Sequence, residues 1–186
     1  MRAGSRTAAA TQGLELADSW VADAHKTLNV PYDSGLALCR HPEELRASMA
    51  IGAAYLPSTV PSPSDCAPEF SRAARGAETW AALLSLGRDG LRDLVDRLHS
   101  HACRVAEELA AMGFHVPHEV HFNQVFATRP EDEAKGAEIA ARVQASGEAW
   151  FGAAVWQDQP GFRISVSNWA TTDEDIARLI AAITAA

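Results

Sequence analysis

Asp18-Ser19-Trp20-Val21-Ala22-Asp23-Ala24-His25-Lys26-Thr27-Leu28-Asn29-Val30-Pro31-Tyr32-Asp33-Ser34-Gly35 is where this 186-residue chain gathers ionisable, aromatic and turn-forming residues most densely. Turn signals at Pro31 and Gly35 lead into an apolar run, which predicts a short buried strand over 34–39. The segment 14–26 before it is mixed, so His25 and Lys26 are expected on a loop between two extended pieces. A lysine so placed can form an imine if burial keeps part of it neutral, below its usual pKa of about 10.4. The adjoining histidine and aspartate make this the best candidate site on pattern alone, although a His-Lys pair by itself is common.

Downstream, Pro42-Glu43-Glu44-Leu45 carries the proline-first, acid-early signature of a helix start, and a short helix is expected to about Ala50. Residues 56–68 then hold four prolines, at 57, 61, 63 and 68, with no helical or strand period. A long mobile loop, functional rather than a plain linker, is the expectation there. Residues 70–86 suit a helix ended by Gly87. Leu91, Leu94, Val95, Leu98, Ala102, Val105 and Leu109 mark one apolar face of a second, ended by Gly113. Beyond it the pattern predicts strands at 114–116 and 122–128, a helix over 130–146, and two strands, 149–156 and 162–167, around a turn at 157–161. The last helix should start at a capping box, Thr171-x-x-Glu174, and bury Ile176, Leu179, Ile180 and Ile183. The pattern divides the chain into a disordered tail (1–13), the end of a larger α/β layer (14–112) and a small mixed α/β domain (113–186).

Composition bounds the rest. Sixteen Lys plus Arg against 24 Asp plus Glu give a net charge of -8 with no basic stripe, so nucleic acid is a poor partner. No apolar run of about 18 residues suggests a membrane span. Cys39, Cys66 and Cys103 are odd in number and widely spaced, which reads as free thiols in a reducing cytoplasm rather than a disulfide framework. His99, His101, His115, His118 and His121 follow no metal-ligand spacing, and surface or packing roles are expected for them.

The opening string as a whole resembles the cofactor-lysine signature of the group II pyridoxal-phosphate decarboxylases, the family of glutamate, aromatic amino-acid and diaminobutyrate decarboxylases. Its Asn/Asp-x-His-Lys element corresponds to Asp23-Ala24-His25-Lys26. The resemblance implies an α/β fold, the C-terminal part of the aspartate-aminotransferase-like (fold type I) architecture, with pyridoxal 5'-phosphate held on Lys26 as a Schiff base. His25 would lie against the cofactor and Asp23 holds the place of the family's Asn or Asp. Tyr55-Leu56 matches the start of the family's mobile active-site loop, spanning 53–68 here, whose tyrosine supplies the proton that replaces carbon dioxide. Ser71-Arg72-Ala73-Ala74-Arg75-Gly76 is similar to an Arg-Arg-x-Arg element, with Ala73 where one arginine is expected. Phe162-Arg163-Ile164-Ser165-Val166-Ser167-Asn168 resembles the strand whose arginine holds the substrate carboxylate, which assigns that role to Arg163. The alternative for Arg163 is a strand-edge arginine paired with a surface acid.

The same resemblance implies elements that precede the lysine: an aspartate facing the pyridine nitrogen, a histidine stacked on the ring, and a phosphate-binding loop. No His-x-Asp-Ala-like strand and no Gly-rich helix start stand before Asp18. Apolar helix faces between 70 and 112 would then lack cover, and a homodimer or a complementing N-terminal half would have to complete the site. Two readings stay open: an amino-acid carboxy-lyase polypeptide active only when complemented, and a catalytically inactive remnant or interaction subunit. An aminotransferase or another carbon-carbon lyase of the same fold is disfavoured by the Asp-x-His-Lys string.

Overall fold

The computed structural model describes residues 11–50, 62–129, 131, 132 and 134–186, and its contacts divide them into two compact units, 11–85 and 86–186. The first unit contains an antiparallel ribbon of β1 (Ser19–Asp23) and β2 (Gly35–Cys39), in which Asp23 pairs with Gly35. Helix α1 (Pro42–Met49) follows, with Pro42 and two acids in its first turn, as the sequence pattern predicts. After it comes a short 3-10 turn, Pro63–Cys66, and then the start of α2 (Arg75–Ala111).

Strand β2 is not the buried strand expected. Only Leu36 is even half-covered, because β1 is its sole ribbon partner among the described residues and both ribbon faces stay open. The loop over 53–68 is described only from residue 62. There it holds local order, since Ser62 and Asp65 cap the 3-10 turn reciprocally.

Helix α2 is interrupted at Gly87, whose φ of 61° and ψ of -169° only a residue without Cβ adopts readily. From Leu86 on, it belongs to the second unit. The remainder of that unit is β3 (Gln124–Ala127), α3 (Lys135–Ser146), β4 (Gly152–Trp156), β5 (Gln159–Ser165) and α4 (Asp173–Thr184). The sheet is antiparallel with β5 central, in the order β3-β5-β4. Leu94, Leu98, Ala102, Val105 and Leu109 of α2 pack with Val125, Ile139, Val143, Phe162, Ile164, Ile176 and Ile183 in one buried cluster. Each fully buried large side chain of this kind contributes about 1.5–3 kcal/mol.

That packing corrects two expectations. By contacts the division falls at 85/86 rather than at the expected 112/113, because the helix after Gly87 packs its apolar face into the C-terminal core. Its apolar face is therefore covered, whereas Trp80 and Leu84, before the kink, are exposed. The 114–116 strand is reduced to a single bridge, His115 to Thr128.

Two local readings also shift. The β4–β5 turn is made by Gln157 and Asp158 alone, both with positive φ as a two-residue hairpin requires, and Pro160 and Gly161 lie inside β5. Pro160 is tolerated because it sits beyond the end of β3, where β5 has one neighbour. The final helix is capped one residue later than the Thr171/Glu174 spacing predicts. Thr172 accepts from the Asp175 amide, while Asp175 accepts from the Thr172 amide and hydroxyl. The Thr171 carbonyl is instead occupied by Arg97 and His101.

The hydrogen bonds from Thr172 hold the Asp175 carboxyl below its usual range. A carboxyl so depressed stabilises the fold above its unfolded pKa of about 3.9 and loses that contribution as pH falls through the lower folded value. Thr172→Ala should cost about 1 kcal/mol near neutral pH. Thermal melts between about pH 6 and 2 should show the variant losing less stability on acidification than the parent; parallel curves would argue against the cap.

Candidate active site

The turn that carries Lys26 is pinned by what lies under it. Ala24, Val30 and Ser34 are buried, and between them the chain makes tight turns through Lys26 N to Asp23 O (3.2 Å) and Asn29 N to Lys26 O (3.1 Å). Asn29 adopts a positive φ of 52°, a conformation that asparagine tolerates better than most residues. Lys26 therefore projects from a short loop between β1 and β2.

Asp23, His25 and Lys26 are together in this turn. The Lys26 ammonium is bonded to the Asp23 carboxylate, and this pairing holds the Asp23 carboxyl below its usual range. The Lys26 side chain is 64% exposed, so the described residues do not supply the burial that imine chemistry at this lysine calls for. The His25 ring meets Tyr32 edge-on, with centroids 4.5 Å apart. Its Nδ1 lies 2.7 Å from the Ser34 carbonyl. A carbonyl can only accept, so Nδ1 carries a proton and Nε2 is the nitrogen left to meet a ligand.

A second layer, not visible in the sequence, backs the turn. Asp33 accepts from Arg75 Nε at 2.6 Å, which lowers the Asp33 carboxyl below its usual range, and Glu69 approaches the same guanidinium at 3.6 Å. The buried Ser34 and Thr79 hydroxyls bond to each other at 2.8 Å. Arg75 belongs to the Arg-Arg-x-Arg-like stretch, so one partner carried a sequence signal; Thr79 carried none. Beside β2, Gly35, Ala37, Ser64, Phe70, Arg72 and Arg75 line an open groove of about 1050 Å³.

Arg163 belongs to the other unit, and Tyr55 lies outside the described residues. Arg163 stands on the middle strand, not an edge, with Phe126 and Gly152 as its cross-strand neighbours. Alternation buries Phe162 and Ile164 and turns Arg163 to the open face. There it lines a cleft of about 270 Å³ with His118, Gln124, Phe126 and Trp156. Its guanidinium is in none of the ion pairs among the described residues, unlike Arg75 or Arg178.

Lys26 and His25 fit the anchoring end of a pyridoxal phosphate site. The rest of such a site is not assembled by the described residues of this unit: Asp23 and Asp33 are engaged by Lys26 and Arg75, and no glycine-rich turn opens α1 or α2. No three His, Cys, Asp or Glu side chains among the described residues are grouped as a metal would need. Among the described residues no disulfide joins the cysteines, and no helix is long and apolar enough to cross a membrane.

The family model of the pyridoxal-dependent decarboxylase conserved domain matches residues 4–128. No curated protein matches the chain. Solved structures that resemble it include Catharanthus roseus tryptophan decarboxylase in complex with L-tryptophan, at 18% identity and a TM-score of 0.80, covering 94% of this chain and 38% of that one. Oryza sativa TDC with PLP and tryptamine aligns at 19% identity and a TM-score of 0.82, covering 94% and 40%. The glutamate decarboxylase domain of a Vibrio parahaemolyticus transaminase and L-2,4-diaminobutyrate decarboxylase aligns at 17% and 0.69, covering 97% and 36%. These likenesses confirm the α/β fold, of which the chain spans about two fifths of the length of the structures it matches.

Proposed function

Because the chain belongs to the pyridoxal-dependent decarboxylase family, we propose that it is the lysine-bearing polypeptide of an amino-acid carboxy-lyase, holding pyridoxal 5'-phosphate as a Schiff base on Lys26. The observation that carries this reading is the β1–β2 turn, which sets Lys26 beside a histidine whose Nδ1 is already committed to Ser34. Bound there, the cofactor supplies the electron sink that lets a Cα carboxylate leave.

The chain's own residues have narrower tasks. Lys26 Nζ, released from Asp23, holds the cofactor. His25 lies against it and offers Nε2, and Asp23 orients the lysine before loading. Arg163 receives the substrate carboxylate through its planar two-pronged donor, a geometry lysine does not reproduce. Tyr55 donates the proton that replaces carbon dioxide.

A complementing N-terminal half or a homodimer is proposed to provide the phosphate cradle and the carboxylate for the ring nitrogen. Support comes from the exposed apolar side chains of the first unit, Val21, Phe70, Trp80 and Leu84 among them, and from the exposure of Lys26. Amino-acid metabolism in the cytoplasm is the setting proposed. The second reading, an inactive remnant or interaction subunit, is favoured by the absence of a phosphate cradle among the described residues of the first unit.

Absorbance of the purified chain with added pyridoxal phosphate, then borohydride reduction and peptide mass spectrometry, tests the first reading. An imine band with the reduced adduct confined to Lys26 is the expected result. Comparable labelling of Lys135, the only other lysine in the sequence, would sink it and leave the inactive reading.

A further inference from the structure

Ser34 is joined to three residues of the first unit at once. Its carbonyl accepts from the His25 backbone N–H at 3.2 Å and from the His25 ring at 2.7 Å. Its hydroxyl meets Thr79 Oγ1 at 2.8 Å and lies 3.4 Å from the Arg75 carbonyl, to which the Thr79 hydroxyl also donates at 3.3 Å. Ser34 is 2% exposed and Thr79 5%, so neither hydroxyl can exchange its partner for bulk water. Directly before Ser34, Asp33 holds the Arg75 guanidinium. Consecutive residues after the lysine turn thus grip residues 75 and 79, one turn apart on α2.

We infer that Ser34 and Thr79 are positioning residues: their buried hydrogen bond fixes the Ser34 carbonyl, which in turn sets the ring tautomer and orientation of His25 beside Lys26. The chain of contacts is local and has one route. Among these bonds the His25 ring meets α2 only through Ser34, and the Asp33–Arg75 pair, exposed and screened, adds little to the hold that the His25 N–H already has on the Ser34 carbonyl. A hydroxyl at position 79 is required because a buried serine hydroxyl needs an acceptor aimed at it, and the Arg75 carbonyl alone is at the limit of reach. The inference rests on the proposed cofactor site for its purpose, not for its geometry.

The test uses the full chain labelled with nitrogen-15. In the parent, the His25 ring shifts should report the Nδ1–H form as dominant over the Nε2–H form, as the Nδ1 contact with the Ser34 carbonyl requires. Thr79→Val keeps the shape and removes the hydroxyl. It should lower the ratio of Nδ1–H to Nε2–H by about tenfold and raise amide exchange at His25 by a similar factor, and Thr79→Ser should restore both. A folded Thr79→Val chain with parental His25 ring shifts would overturn the inference. Should that variant not fold, Ser34→Ala/Thr79→Val, which leaves no orphaned hydroxyl, is read by the same criteria. Failure of the cofactor reading shows separately: no Lys26 adduct in the parent, with His25 still responding to Thr79→Val, removes the cofactor and keeps the positioning.

Discussion

Phe162→Ala is expected to destabilise the 86–186 unit by about 3–5 kcal/mol. Phe162 has no exposed surface, meets Phe114 edge-on at 5.3 Å, and lies against Phe151 at 5.1 Å. Removing its ring leaves both partners facing a void in the middle of the sheet's covered face. A domain of this size has about 5–15 kcal/mol of stability in total, so most of it could vanish. Urea unfolding followed by circular dichroism measures the change. A loss below about 1.5 kcal/mol would mean that α3 and α4 collapse onto the gap, and that the ring is not the keystone its contacts indicate.

Gly161→Ala should be almost as damaging, for the opposite reason. A Cβ at Gly161 would stand 2.3 Å from the Ala127 carbonyl oxygen and 2.8 Å from Phe126 Cζ. The aromatic ring can move, but the backbone oxygen of β3 cannot without breaking the β3–β5 ladder. From another side, a Cβ at Gly136 of α3 would come within 2.8 Å of the Gly161 backbone, so the strand has no room to retreat. Overpacking of this kind costs about 1–3 kcal/mol, and more where only backbone can yield. Gly152→Ala, also on the sheet but with nothing within 4 Å of the new Cβ, is the control and should be close to neutral. Equal effects at 161 and 152 would show that flexibility, not crowding, governs both. Because Arg163 follows two residues after Gly161, the substitution should also move the guanidinium relative to Trp156.

Local chemistry was legible wherever a residue's neighbours in sequence are also its neighbours in space. Pro42 with Glu43 and Glu44 starts a helix, Gly113 ends one, and the apolar positions from Leu94 to Leu109 mark the buried face of that helix. The lysine turn belongs to this class, since its bonds run from Asp23 to Lys26 and from Lys26 to Asn29. Pro160 and Gly161 misled because both are common in turns. Here one lies past the end of a neighbouring strand and the other yields space to Ala127 and Phe126, conditions no local pattern contains. The cap moved from Thr171 to Thr172 because Arg97 and His101, some 70 residues away, occupy the Thr171 carbonyl.

By itself the sequence determined the start of α1 and the apolar faces of α2 after its kink and of α4, because these follow from local helix-start chemistry and from residue spacing against a period of 3.6, while a family resemblance marked the Asp-Ala-His-Lys turn. Only the tertiary structure decided that Leu86–Ala111 joins the C-terminal sheet, that Lys26 is exposed and paired with Asp23, and that Ser34 meets Thr79 across 45 positions. Those outcomes depend on which surfaces bury each other and which buried hydroxyls find partners, and burial is a property of the folded arrangement rather than of any short stretch of chain.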